Sequence, residues 1–245
     1  MKAGILTGLG GEIHHFHQVG STMDIARELA RKGAAEGTVV VAERQTQGRG
    51  RLSREWQSPP GGIYFTIILR PRITPVYAPR LSLMASVAVA NTVRELLGLD
   101  ARLKWPNDVL IGGKKVCGIL AEMDAGTDSV NFVNVGVGIN ANSTVSQFES
   151  ATSLKDELGR RISPKEFLAS LLEEISRQYA LLTEPELLER WRSLSATLNR
   201  WVKVTAPGEV IEGQAMDIDD TGALLVRGRD GVVRTVLAGD CVHLR

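Results

Sequence analysis

The stretch "ERQTQGRGRLSREWQSPPGG", residues 43–62, sets Arg49, Arg51 and Arg54 among glycines and ahead of Trp56, with no acidic residue between Arg44 and Arg54. Gly48 and Gly50 lack a Cβ, so the backbone N–H groups around them can come close to an anion. Each guanidinium can fork onto a phosphate or a carboxylate, and the indole offers a flat face to a purine. "GRGRLS" opens like a dinucleotide fingerprint, but Ser53 takes the third glycine position. Ser-Pro-Pro-Gly-Gly then follows Trp56 in place of the helix that fingerprint requires. No G-K-[ST] phosphate loop occurs anywhere in the chain. The segment is therefore either an anion-binding loop of another kind or a solvated basic surface.

Two further stretches carry chemistry. In "RLKWPNDVLIGGKKVCGILAE" a rigid corner, Trp105-Pro106-Asn107-Asp108, follows Lys104. A lysine fixed at that corner can act as an electrophilic stabiliser in a cleft. The bland alternative is a solvated lysine on an edge strand, with Trp105 in the core. In "VGVGINAN" the glycines let a strand pass close to a ligand, and Asn140 supplies both donor and acceptor. A bulge at a strand end reads equally well. His15 and His17 share a strand face without a third metal ligand, and Cys117 reads as an inert core thiol. No Ser-His-Asp arrangement or G-x-S-x-G elbow is present.

These residues need elements to position them. The pattern predicts a strand at 12–19, a helix over "GSTMDIARELARKG" capped by Ser or Thr and closed by Gly33, and strands at 38–45 and 63–69. A buried helix over 79–98 follows, and then short strands at 102–105, 108–111, 116–123 and 130–140 joined by glycine turns. A helix capped by Ser163 has Pro164 at its first position and Glu166 able to complete a capping box. Another helix is expected over 184–198. Short strands from Trp201 onward, separated by Pro-Gly, Asp-Asp-Thr-Gly and Arg-Asp-Gly, predict a small β-barrel. The fold class is α+β, a mixed and mainly antiparallel sheet with packed helices, divided as 1–198 and 199–245.

Composition narrows the function. The 29 basic and 28 acidic residues leave a net charge of +1, which argues against a dedicated nucleic-acid binder and makes any positive field local. Two distant cysteines make no disulfide framework and suit a reducing cytoplasm. The N-terminus "MKAGILTGLGGEIHHFH" breaks into glycines before any long apolar core, so no signal peptide is expected. The apolar run 81–90 is too short to span a bilayer.

Five motifs in order, "VGSTMD", "AERQTQGRGRLSREW", "KWPNDVLI", "GKKVCGILAE" and "GVGINAN", together resemble the biotin protein ligases, and the C-terminal β-module is similar to that family's SH3-like domain. The resemblance implies a class II synthetase-like fold and a two-step reaction. Biotin is activated by ATP with Mg²⁺ to biotinyl-5′-AMP, and then passed to a lysine of a biotin carboxyl carrier domain. It implies that Ser21, Thr22 and Gln45 bond the ureido ring of biotin, with Met23 and Gly118 beside it. Arg49, Gly50 and Arg51 would cover biotin and the acyl phosphate. Lys104, with Arg49 and Arg51, would be catalytic. Trp56 would stack on adenine with Asn140 at the base edge, and Arg54, Asn107 and Lys115 would contact the nucleotide. Asp108 is a candidate Mg²⁺ ligand.

Two positions depart from the family pattern: Met23 where Asn is more usual, and Ser53 where Gly is common in the loop. A lipoate or octanoate ligase of the same fold is the close alternative, and a non-catalytic nucleic-acid-binding protein the distant one. Fewer than 25 residues precede "STMD", too few for a helix-turn-helix domain, so ligase activity without DNA binding is expected. A homodimer is implied by the family alone.

Overall fold

A computed structural model describes residues 9–145, 147–206 and 208–244. Residues 1–8 of the N-terminal stretch that reads as lacking a signal peptide lie outside them, as do Pro207 and Arg245 in the predicted C-terminal β-module. Among the described residues no helix is long and apolar enough to cross a membrane.

The chain opens with β1 (Ile13–Val19), α1 (Thr22–Arg31) and β2 (Val39–Gln45), a crossover that pairs β1 and β2 in parallel. Ser21 caps α1 by accepting from the Met23 N–H, and Asp24 sits in the first turn, where the helix dipole favours a negative charge. Then come β3 (Ile63–Leu69), α2 (Pro79–Leu97), β4 (Ala101–Lys104), β5 (Asp108–Ile111), β6 (Lys114–Ala125) and β7 (Val130–Ile139). These strands complete a seven-stranded sheet in the order β1-β2-β3-β7-β6-β5-β4, antiparallel except for the first pair. Gly98 ends α2 in the left-handed conformation that its missing Cβ permits. A short helix, α3 (Leu154–Leu158), has no counterpart in the sequence reading, because one turn and a half leaves no usable periodicity.

The helix capped by Ser163 is α4 (Pro164–Tyr179). Its Ser163 hydroxyl accepts from the Glu166 N–H at 3.4 Å, which is one half of a capping box. The next helix, α5 (Pro185–Leu194), stops short of the expected Leu198 because Ser195 turns extended and carries the chain onto the edge strand β4. There Ala196 N–H donates to Leu103 O at 2.7 Å, covering part of that edge. A second sheet follows, five strands and wholly antiparallel: β8 (Trp201–Ala206), β9 (Glu209–Ile218), β10 (Leu224–Gly228), β11 (Val233–Val236) and β12 (Asp240–His243). The expected α+β architecture with a small C-terminal β-module is thus the one observed.

The two faces of the large sheet differ. One packs on α2, whose residues Leu81 and Leu83–Ala90 are buried, and α4 and α5 stack behind it. The other carries α1 over β2, β3 and the start of β7, with Ala26 and Ala30 against Val40, Ile68 and Phe132. Beyond the N-terminus of α1 that face is open. Trp105 joins the two sheets: it is 1% exposed, and its indole N–H donates to Gly222 O at 3.1 Å. Replacing it by Phe leaves that buried carbonyl unpaired at a cost of about 1–3 kcal/mol. Trp105→Phe should therefore lower the thermal midpoint by several degrees, at roughly 2–4 °C per kcal/mol for a chain of this size. An unchanged melting curve would remove Trp105 as the joint between the sheets.

Candidate functional site

The open part of the sheet is floored by glycines. Along β7, Val133, Val135, Val137 and Ile139 point into the core, and the alternating positions Gly136 and Gly138 face the other way. Gly118 on β6 pairs with Gly138 and lies on the same face. The three bare backbones leave a trough into which a flat group can settle. Here the Trp56 ring lies in it: a Cβ at Gly138 would meet the indole Nε1 at 2.4 Å, and one at Gly118 would meet Cζ3 at 2.8 Å. At Gly136 the neighbour is Met23 Sδ, 2.7 Å from an ideal Cβ, so Met23 forms an apolar wall at the point where the family pattern suggested a polar contact.

One end of the trough is a closed polar cluster at the start of α1. Gln45 Oε1 accepts from Thr22 N–H at 2.8 Å and from the Thr22 hydroxyl at 3.0 Å, and its amide donates to Ser58 Oγ at 2.8 Å. Thr66 donates to Thr22 Oγ1 at 2.9 Å from the neighbouring strand. Ser21, Thr22, Ser58 and Thr66 are all buried, so this end is dry and rigid. Thr66 and Ser58 were not singled out from the sequence. Thr66 interrupts the otherwise aromatic and aliphatic run 63–69, and that was the available signal.

The other end carries charge. The loop 46–58 folds back as a narrow turn, with Gly50 N–H bonded to Arg54 O and Trp56 N–H to Gly48 O. Its arginines point three ways. Arg49 is spent on two carboxylates, Asp24 at 2.9 Å and Glu122 at 3.2 Å, and Arg27 pairs with the same two from α1. Arg54 forks onto Asp240 of β12 at 3.0 and 2.7 Å. Arg51 turns inward, held by Asn107 Oδ1 at 3.2 Å, and burial lowers its guanidinium pKa against the pull of Asp108 and Asp240. At the tip Leu52 and Ser53 have φ of 55° and 58°, a left-handed conformation that costs a non-glycine residue about 1–2 kcal/mol. Ser53 thus stands at a position where glycine would relax the turn.

Lys115 is the lysine of the cleft. Its Nζ lies 2.6 Å from Asp108 and 5.2 Å from the centre of the Trp56 ring. A bulge puts it there: β5 and β6 shift register between Val109 and Leu110, so Val116 and Cys117 are consecutively buried and Lys115 emerges on the Gly118 face. Lys104 lies outside the lining of the cleft. It is on the same sheet face, paired with Asp108, but on the edge strand, and its charge reaches Asp240, Cys241 and His243 of the C-terminal sheet. Asn140 also lies outside. It is 5% exposed, and its amide donates to Thr152 O at 3.1 Å, tying down the segment that leads into α3. Ser21, Thr22, Met23, Gln45, Arg49, Gly50, Arg51, Arg54, Trp56, Asn107, Asp108, Lys115 and Gly118 are brought together around the trough.

Other candidates fall away. Cys117 and Cys241 are free and buried, and burial raises both thiols, Cys241 to about 11. Among the described residues no three of His, Cys, Asp and Glu cluster as metal ligands, and His17 pairs with Glu43 at the surface.

Comparison with known proteins identifies the family. Residues 16–140 match the biotin/lipoate A/B protein ligase family, and residues 197–244 match the biotin protein ligase C-terminal domain. The chain is 37% identical over 242 residues to the bifunctional ligase/repressor BirA of Bacillus subtilis, covering 95% of this chain and 74% of that protein. It is 39% identical over 241 residues to the biotin–[acetyl-CoA-carboxylase] ligase of Mycobacterium tuberculosis, covering 93% and 87%. The solved biotin protein ligase of Aquifex aeolicus in complex with biotin and ATP superimposes with a TM-score of 0.81 at 29% identity, over 95% of this chain and 98% of that one.

The glycine floor admits a direct test. A methyl group at position 138 cannot coexist with the indole at 2.4 Å. Gly138→Ala should expel Trp56 and raise its accessibility to a collisional quencher, as judged against a Trp56→Phe background. Quenching unchanged from wild type would show that the ring does not rest on this floor.

Proposed function

This chain belongs to the biotin/lipoate A/B protein ligase family, and from that premise we infer how the cleft works as the active site of a biotin protein ligase. Biotin is activated with ATP to biotinyl-5′-AMP, and the acyl group then passes to a lysine of a biotin carboxyl carrier domain. The observation that carries the reading is the trough itself, a bare glycine floor with a dry polar cluster at one end and Arg51, Lys115 and an indole at the other.

The polar end suits the ureido ring of biotin, which has two N–H donors and one carbonyl acceptor to match against Ser21, Thr22 and Gln45. Lipoate offers a dithiolane there, which can neither donate to nor match the remaining hydrogen-bonding capacity of those groups. A site built to bond a polar substrate rejects the apolar analogue by orders of magnitude for that reason. Met23 packs beside the ring as an apolar wall.

In the first step a biotin carboxylate oxygen attacks the α-phosphorus of ATP and pyrophosphate leaves. Two anions must approach each other, so cations fixed beforehand lower the barrier. Arg51 and Lys115 are the cleft cations in position to do so. Lys115 would exchange its Asp108 partner for the acyl phosphate, and Lys104, one strand farther out, would act on the nucleotide at the mouth. Proximity of the bound reactants adds on the order of 7–11 kcal/mol. In the second step a neutral carrier lysine attacks the acyl carbon and AMP leaves. Trp56 swings from the glycine floor to the adenine face, so the loop that fills the site without substrate covers it with substrate.

Mg²⁺ would accompany ATP. Asp108 is committed to Lys115 and Asp240 to Arg54, so the donor set fits an ion held mainly by the nucleotide's phosphates with one carboxylate at most. The ion would screen phosphate charge.

ATP–pyrophosphate exchange measured with biotin, lipoate and octanoate tests the assignment. Exchange should appear with biotin alone, and exchange with lipoate but not biotin would overturn it. In the same assay Lys115→Ala should lose at least a hundredfold, more than Lys104→Ala, with both variants folded. A larger loss at Lys104 would reverse the two roles.

A further inference from the structure

The loop that closes the cleft is tied by three arginines, and Arg51 near its tip is held by Asn107 Oδ1. Arg49 anchors its base to Asp24 and Glu122 on the same domain. Beyond its left-handed tip Trp56 rests on the glycine floor, and the ion pair to another element is the fork from Arg54 to Asp240. Asp240 opens β12, where it pairs with Thr205 of β8, so its position is set by the C-terminal sheet. It also lines the cleft. Leu52 at the tip is 60% exposed, so burial of apolar surface does little to hold this part of the loop.

We propose that Asp240 is a positioning residue: it clasps the loop shut through Arg54, so the C-terminal domain sets how long the activated intermediate is retained. This rests on the ligase reading above. The closed turn carries two residues in the left-handed region, which favours opening. A small attraction therefore decides the balance. Exposed ion pairs are ordinarily weak, and the Arg54 side chain is 62% exposed, but a two-pronged guanidinium–carboxylate contact is the strong form of the interaction. Near balance, a tie of that size changes the open fraction about fivefold. The clasp also sorts the arginines. With Arg49 and Arg54 neutralised by carboxylates, Arg51 is the loop cation left facing the substrate, and it is the one that burial strips of water.

The test is a double-mutant cycle on retention. Biotinyl-5′-AMP is formed on the enzyme from biotin and ATP, free substrate is removed, and release of the adenylate is followed by chase. Asp240→Asn should speed release about fivefold, Asp240→Glu should largely restore retention, and the melting temperature should not move. Arg54→Gln should match Asp240→Asn, and the double variant should release no faster than either single one, because they break one contact. Raised ionic strength should speed release from the wild type and have less effect on Asp240→Asn. Unchanged release from Asp240→Asn would overturn the clasp, and so would fast release from Arg54→Gln alone or additive effects in the double variant. Failure of the wild type to form any adenylate would instead sink the ligase reading.

Discussion

The site depends on a sheet whose two faces obey opposite demands along the same strand. In β7 the valines and Ile139 fill the core against α2, and the residues between them shrink to glycine where the cleft lies. Period-two alternation lets one segment do both: the buried face supplies the apolar contact that holds the strand, and the bare face supplies room. A side chain at Gly136, Gly138 or Gly118 would raise the floor into the space of Met23 or Trp56. The cost is a face that cannot stabilise itself by side-chain packing. The loop and the start of α1 cover it instead.

That cover explains the placement of charge. Four acidic groups hold three basic residues near the cleft: Asp24 and Glu122 hold Arg49, Asp108 holds Lys115 and Asp240 holds Arg54. Packing Arg49, Arg54 and Lys115 together without counter-charges would drive the loop off the site. With the counter-charges present, the loop rests closed before substrate arrives, and an incoming anion competes for Lys115 and Arg51 rather than having to order a floppy segment. The polar cluster around Thr22 is organised in the same manner, by bonds already made between α1, β2 and β3, so binding there requires little rearrangement.

The two sheets share this work. Trp105 and the segment after α5 join them mechanically, and Asp240 brings a group of the second sheet to the rim of the cleft of the first. A C-terminal module that supplies a wall to the cleft and a tie to the loop over it can take part in chemistry without supplying a reacting group.

Much of this was written in local patterns. Capping at Ser21 and Ser163, the strand periods, the glycine turns and the alternation in "VNVGVGIN" each depend on neighbours a few residues apart, so the α+β order and the C-terminal β-module were legible, and so was the clustering of the Gln45, Arg51 and Trp56 stretch with "STMD" and "GKKVCGIL" through the family resemblance. What only the tertiary structure decided depends on register and on partners far along the chain. A one-residue bulge opposite Val109 and Leu110 turns Lys115 into the cleft, while Lys104, at the more suggestive corner, stays on the edge strand. Asn140 is drawn into holding Thr152. Three arginines alike in sequence are given different tasks by carboxylates 25, 73 and 186 residues away, or by burial. Residue type sets what a side chain can do, and the direction in which a strand presents it, which a single inserted residue reverses, sets what it does.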